Sequence, residues 1–318
     1  MPLSEFDIIY RYFSALGRGD SVQLSVGDDC AILGLRAGER VATSVDTLVA
    51  GVHFFPDSFP EDVGYRAVAV AASDLAAMGA RPLGMTIALT LPDADELWLH
   101  AFSEGVAAAV SDLQLPLVGG DTTRGPLTVS VQVIGALPGD AALLRGGARE
   151  GDSLCVTGTL GDAAAALAFL RGDWQPPPDH AQFLHERFYR PRPPLGLGQR
   201  LRGVATAAID VSDGLLADAR HVADASGVRL EIDSAALPLS AALHSHVDRD
   251  RAIQWALTGG DDYELCYCLP AGVAPPEGTV IGRVVAGQGV HCDVAAVSRG
   301  GYDHFAEGGR LQEGSESS

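Results

Sequence analysis

Apolar residues recur along this chain with a period that switches between helical and strand-like, and the switches mark out its elements. Ser4 and Asp7 make a capping-box-like start, and Phe6, Ile9, Tyr10, Phe13 and Leu16 follow at helical spacing before Gly17, which predicts an opening helix. VATSVD (41–46) reads as a strand, Glu61 to Gly79 as an alanine-rich helix, LGMTIALTL (83–91) as a strand and Asp93 to Leu113 as a helix. PLVGGD (116–121) and LTVSVQVIGAL (127–137) are two further strands, and PGDAALLRGGAREGD (138–152), rich in glycine and charge, has the look of a boundary. Beyond it the grammar repeats. SLCVTG (153–158) is a strand, Asp162 to about Arg171 a helix, and a second helix ends near Arg202. ATAAID (205–210) is a strand, a helix opens at Ser212–Asp213, and VRLEID (228–233) and segments near 263–270 and 278–285 are strands. Between Gln175 and Pro194 lies a proline-rich stretch whose Phe183, His185, Phe188 and Tyr189 suit a structured surface loop. The pattern is α/β with two domains, 1–138 and 139–306, followed by a polar tail, 307–318, expected to be disordered.

Composition narrows the chemistry. At 318 residues and 47% hydrophobic, the chain can bury the cores of two ordinary domains. No run approaches the roughly 20 apolar residues of a membrane helix, and the first residues lack the basic flank and apolar run of a signal peptide, so the expected compartment is the cytoplasm. Five scattered cysteines argue for reduced thiols, and Cys266 and Cys268, two apart in a strand-like run, read as buried thiols before metal ligands. A formal net charge of −19 speaks against nucleic acid or an anionic membrane as partner, and means that a phosphate ligand needs cations. All 22 basic side chains are arginine. A Walker A lysine, a protein-kinase ATP lysine, a pyridoxal-phosphate Schiff base and a lysine nucleophile are thereby excluded.

Acids fall where ligands bind in α/β folds. Asp28 and Asp29 follow SVG, Asp46 ends a strand, Asp74 sits inside an apolar helix, and Asp121 and Asp210 end strands; Asp213 opens a helix and Asp261–Asp262 follow TGG. Singly, each Gly-Asp or Ser-Asp pair also reads as a turn or a cap. Asp74 resists that reading, because an unpaired carboxylate buried in AVAVAASDLAAMGA would be costly. Two carboxylates about 5 Å apart at an effective dielectric near 20 repel by roughly 3 kcal/mol, so converging acids call for divalent ions, and hard oxygen donors suit magnesium better than zinc. GGDTTRGP (119–126) and LLRGGAREGD (143–152) could add anion-binding amides, with Arg145 or Arg149 clamping phosphate in place of lysine.

In order along the chain stand GDDCAIL, SVDTLVAGVHF, SDLAAMGARP, GGDTTRG, VTGTLGDAAAAL, IDVSDGLLAD, GGDDYEL and GYDHF. This set, from about Glu5 to Phe305, resembles the thiamine-monophosphate kinase family, in the superfamily of aminoimidazole ribonucleotide synthetase and selenophosphate synthetase. The resemblance implies an α/β (α+β) protein with the two-domain architecture of that synthetase: an N-terminal mixed sheet with helices and a C-terminal α/β domain. It implies a homodimer joined through the N-terminal sheets, ATP and Mg2+ as ligands, and transfer of the γ-phosphate to thiamine monophosphate. Carried over by position, the metal ligands are Asp29, Ser44, Val45, Asp46, Asp74, Asp121, Asp210 and Asp213, and ATP meets Gly120, Asp121, Arg145 and Ser212. His53, Asp261 and Tyr302 contact thiamine monophosphate, and Asp74, Asp121 and Asp213 carry catalysis. Two positions depart from the family pattern. Val45 stands for a threonine and can offer a metal only its backbone carbonyl, and Asp261 stands for a glutamate one methylene longer. The rival readings are another ATP-dependent synthetase of the superfamily and a non-catalytic nucleotide-binding regulator.

Overall fold

The computed structural model describes residues 4–294. They form two compact units, residues 4–75 with 80–140, and residues 76–79 with 141–294.

The first unit opens on the expected capping box: the Asp7 amide donates to Ser4 Oγ (3.2 Å), and the Ser4 amide to the Asp7 carboxylate (3.0 Å). The helix it starts is short. α1 (Glu5–Ile8) runs into a π-helical turn, Ile9–Phe13, and a 3-10 turn, Ser14–Leu16. A π turn takes one residue more per turn, so the apolar stripe slips: Ile8, Tyr12 and Phe13 are buried, while Phe6 and Tyr10 are 78% and 80% exposed. A small antiparallel pair, β1 (Val22–Leu24) and β2 (Ile32–Leu33), follows.

Four strands make the main sheet of this unit. β3 (Glu39–Val49), β4 (Arg81–Leu91), β5 (Leu117–Arg124) and β6 (Thr128–Pro138) are arranged in the order β3-β6-β4-β5. β6 is antiparallel to both β3 and β4, whereas β5 runs parallel to β4. The sheet is therefore mixed, with β3 and β5 at its edges. Alternation splits it into two faces. On one lie the buried Val129, Val131 and Val133 of β6 with Met85, Ile87 and Leu89 of β4, and Leu75 of the helix α2 (Pro60–Ala77) reaches this face at Gly135. The other face carries Val41, Thr43, Val45 and Thr47 beside Ser130 and Gln132, with Val41 and Val45 56% and 63% exposed.

α3 (Glu96–Leu113), capped by Asp95 on the amides of Leu97 and Trp98, crosses α2 at two glycines. A β-carbon on Gly105 would come 1.9 Å from the Glu61 carbonyl oxygen, and one on Gly64 2.4 Å from that of Phe102. Backbone thus touches backbone at this crossing, and alanine does not fit.

The second unit is built on a six-stranded sheet. Its strands are β7 (Ser153–Val156), β8 (Ala207–Asp210), β9 (Arg229–Ile232), β10 (Leu265–Leu269), β11 (Thr279–Val285) and β12 (Gly289–Cys292), in the order β12-β9-β11-β7-β10-β8. All neighbours are antiparallel except β12 with β9. Every residue of β10 is buried, and Cys266 and Cys268 belong to the apolar core, where burial pushes the Cys268 thiol up to about 12. The helices are α4 (Asp162–Leu170), α5 (Pro178–Tyr189), α6 (Leu195–Leu201), α7 (Leu215–Ser226), α8 (Ala241–His246) and α9 (Arg249–Thr258).

The proline-rich stretch is corrected from loop to helix. Pro178 takes the first helical position, where a missing N–H costs nothing, and Leu184, Phe188 and Tyr189 pack with Ala163, Ala165 and Ala166 of α4. α8 and α9, which periodicity had not indicated, start at Ser240 and Asp248, whose side chains accept the first amides. No helix among the described residues is long and apolar enough to cross a membrane.

Gly105→Ala is expected to cost about 1–3 kcal/mol through overpacking at the α2–α3 crossing. Chemical denaturation reads it as a lower midpoint, and an unchanged midpoint would show that the two helices can part.

Candidate functional site

In the first unit, most of the expected site residues lie on β3, β5 and α2. Asp29 is exposed in the bend after β1, its amide donating to Asp28 Oδ1 (2.8 Å). Ser44 and Asp46 are half-buried on the helix-covered face of β3, and Val45 points from the opposite face. His53 closes the turn after β3: its Nδ1 accepts the Val49 amide (3.0 Å), which places the neutral ring's proton on Nε2. Asp74 is half-buried, while every other residue from Asp62 to Ala77 is buried. It is the one window in the run from Asp62 to Ala77.

Gly120 and Asp121 sit mid-way along β5. A side chain at 120 would meet the Ile87 carbonyl oxygen at 2.0 Å, so glycine is what lets β5 lie close to β4 here. GGDTTRG is thus mostly an edge strand. The register aligns Asp46, Val131, Ile87 and Gly120 in one row and Thr47, Ser130, Ala88 and Asp121 in the next. Asp46 and Asp121 are consequently on opposite faces and three strand spacings apart, about 14 Å. Within one sheet they do not meet.

In the second unit, two loops interlock. Asp210, 6% exposed, ends β8 and is paired in register with Leu265 of β10. Ser212 and Asp213 lie in the turn before α7, which begins only at Leu215 with Gly214 at its N-cap and no side-chain cap. The capping reading of this Ser-Asp pair is therefore overturned. Instead, both of their amides donate to one oxygen of Asp218 (3.0 Å each), which reaches back from the first turn of α7. Burial first, then the charges of Asp210 and Asp213, push the Asp218 carboxyl up to about 8.

GGDDYEL supplies the facing loop. Gly260 packs on the Ser212 carbonyl, where a β-carbon would come within 2.4 Å. The Asp261 amide donates to that same carbonyl (2.8 Å), and the Tyr263 amide to the carbonyl of Val211 (2.8 Å). Asp261 and Tyr263 both have positive φ, 70° and 51°, and the Tyr263 hydroxyl donates to Asp261 Oδ1 (2.8 Å). Asp262 points the other way and accepts the amides of Gly161 (2.6 Å) and Ala163 (3.3 Å) at the start of α4. Glu264 accepts from Thr157 Oγ1 (2.5 Å) and from Arg187 Nη1 (3.1 Å).

The glycine-rich segment 143–152 turns out to be tied to the end of α7 and to itself. Ser226 Oγ accepts the amides of Gly147 and Ala148 (3.1 Å each), and the Arg149 amide donates to Asp152, so these amides hold no anion; the Arg145 and Arg149 side chains are exposed. Tyr302 lies outside the described residues. Sequence reasoning missed Asp218, Tyr263 and Glu264, although all three stood inside the quoted motifs, in DGLLAD and DDYEL.

Residues 27–137 match the family model of the AIR synthase related protein, N-terminal domain. Over 323 aligned residues the chain is 44% identical to the thiamine-monophosphate kinase of Escherichia coli (strain K12), covering 96% of this chain and 99% of that one. The chain belongs to the thiamine-monophosphate kinase family. The crystal structure of the thiamine-monophosphate kinase from Stenotrophomonas maltophilia K279a superposes with a TM-score of 0.85 at 44% identity, covering 92% of this chain and 98% of that one. AaThiL complexed with AMPPCP and TMP superposes with a TM-score of 0.79 at 35% identity, covering 86% and 89%. The kinase family thus shares both units' architecture with this chain, and the two-domain α/β expectation is met.

Burial raises the Asp262 carboxyl to about 7, against the lowering pull of Arg187 and of the Gly161 and Ala163 amides. A carboxyl raised in the fold stabilises it fully below its unfolded value near 3.9, and this contribution is lost as pH rises through about 7. Asp262→Asn removes that titration. Its denaturation midpoint is expected to fall less than that of the unsubstituted protein between pH 5 and pH 8; parallel pH profiles would show that Asp262 is ionised throughout.

Proposed function

We infer that this chain transfers the γ-phosphoryl group of ATP to the phosphate of thiamine monophosphate, giving thiamine diphosphate. The observation that carries this reading is the kinship over nearly the whole chain with thiamine-monophosphate kinases, together with a superposable relative that holds an ATP analogue and TMP. The chain's own residues agree. A lysine-free protein with net charge −19 has no conventional phosphate grip, yet it presents carboxylates on β3, α2, β5 and the 210–213 turn.

We propose Mg2+ as the counter-ion, held by Asp29, Ser44, the Val45 carbonyl, Asp46, Asp74, Asp121, Asp210 and Asp213. The donor set fits: every donor is oxygen, and Asp210 and Asp213 both place negative charge against the buried Asp218 carboxyl. Among the described residues, no three acid, histidine or cysteine side chains are grouped to hold a metal by themselves. Mg2+ takes one or two carboxylates and completes its shell with water and substrate phosphates. When bound, Mg2+ supplies cancellation of the charge between the two phosphates that must approach.

The acceptor is already an anionic phosphate oxygen, so no strong general base is needed. Asp74, Asp121 and Asp213 would serve by holding the cations that keep the phosphates in line, Gly120 and Ser212 by contact with ATP through backbone or hydroxyl, and Arg145 by pairing with phosphate. His53 and Asp261 contact thiamine monophosphate in this scheme, and Tyr302 joins them from outside the described residues.

The same scheme makes the protein a homodimer. Val41 and Val45 are exposed on one face of a sheet whose β3 and β5 edges are unpaired among the described residues, a liability that a second copy removes. A partner also offers a way to bring an Asp46 and an Asp121 to one nucleotide. Sedimentation is expected to show a dimer, and Val41→Glu a monomer of unchanged helix content.

Coupled ADP release with thiamine monophosphate, thiamine and aminoimidazole precursors offered in parallel should respond to the first alone. A response to another acceptor, or to none, overturns the reading. Asp74→Asn and Asp121→Asn are each expected to lower kcat by about 100-fold or more while the melting temperature stays within a few degrees. Unchanged turnover and magnesium dependence in both would sink the metal assignment.

A further inference from the structure

Asp261 is held in an unusual way. Its backbone is left-handed at φ 70°, its amide is tied to the Ser212 carbonyl at 2.8 Å, and its Oδ1 accepts the Tyr263 hydroxyl at 2.8 Å. Tyr263 has a second left-handed backbone, φ 51°, its amide is fixed to Val211 at 2.8 Å, and its ring is buried. Left-handed backbone is strained for a non-glycine residue and persists only where its surroundings enforce it. Here it does something specific. With Asp262 between them turned toward α4, the two positive φ values fold the loop so that a phenol two residues ahead reaches back onto the Asp261 carboxylate.

We propose that Tyr263 is a positioning residue that fixes the Asp261 carboxylate for thiamine monophosphate, and so sets the affinity for the acceptor without touching the nucleotide. This rests on the assignment of Asp261 to that substrate. Aspartate, one methylene shorter than glutamate, has two side-chain torsions instead of three, and a buried phenol on Oδ1 removes most of what remains. The remainder of the residue's setting is structural: the Tyr263 ring is buried and its amide is tied to the Val211 carbonyl, while its hydroxyl donates to Asp261.

The test is a double-mutant cycle on the full-length protein, with KM measured separately for ATP and thiamine monophosphate. Tyr263→Phe keeps the ring and removes the hydroxyl. It is expected to raise KM for thiamine monophosphate about five- to tenfold, the equivalent of one ordinary hydrogen bond, with kcat and KM for ATP within about twofold. Asp261→Ala should raise the same KM, and adding Tyr263→Phe to it should change nothing further. Asp261→Asn retains an oxygen for the phenol; partial recovery relative to Asp261→Ala is expected with Tyr263 intact and is expected to vanish in the Tyr263→Phe variant.

If Asp261→Ala leaves KM for thiamine monophosphate unchanged, the substrate assignment fails and takes this proposal with it. If Asp261→Ala raises KM but Tyr263→Phe does not, or if the two effects add in full, the assignment stands and Tyr263 has no positioning role. Equal rises in KM for both substrates would likewise reduce the hydroxyl to a general structural part.

Discussion

The guanidinium of Arg187 is the charge on which the second unit's loops depend. It comes from α5, donates to Glu264 Oε1 at 3.1 Å and to the Thr159 carbonyl at 2.9 Å, and lies 3.4 Å from the fully buried carboxylate of Asp162. Burial alone would disfavour its charge, yet Glu264, Asp262 and Asp162 outweigh that and raise its pKa above the ordinary arginine value. A single cation among three acids leaves the cluster under-compensated, so amides and hydroxyls finish the work: those of Gly161 and Ala163 on Asp262, Ser240 on Asp162 and Thr157 on Glu264. Lysine would not substitute, since a point charge cannot serve two carboxylates and a carbonyl in one plane.

From that anchor the geometry of GGDDYEL follows. With Asp262 fixed to the start of α4 and Glu264 to α5, the alternate residues Asp261 and Tyr263 must face the 211–213 turn, and Asp218 fixes that turn from behind. Negative groups thus divide by environment. Asp262 and Glu264, matched to amides, a hydroxyl and Arg187, hold one side of the scaffold, and Asp218, matched to the amides of Ser212 and Asp213, lies buried beside the charges of Asp210 and Asp213.

Much of this was legible in the sequence. Strong period-two runs such as LTVSVQVIGAL and the cap at Ser4 gave true elements, because each strand or cap is decided by residues within reach of one another. The failures were of a different kind. A π turn, invisible to a 3.6-residue period, turned Phe6 and Tyr10 outward, and α5 hid behind its prolines because only Pro178 needs to sit at a helix start. The Ser212–Asp213 pair looked like a cap because a capping side chain and a captured amide have the same sequence signature; which one occurs depends on Asp218, whose burial no local pattern reports. Opposite-face placement of Asp46 and Asp121 was equally hidden, since it follows from register across four strands.

The half-buried Asp74, set in the buried run of α2, carries a consequence for how this chain can change over generations. From Asp62 to Ala77, selection for packing alone constrains every neighbour of Asp74, and at 74 it pulls the opposite way, toward an apolar side chain that would seal the helix. A population screened only for how well it folds would therefore drift away from aspartate at this point while improving by every structural measure. An acid retained there has to be kept by something other than the packing of the core around it.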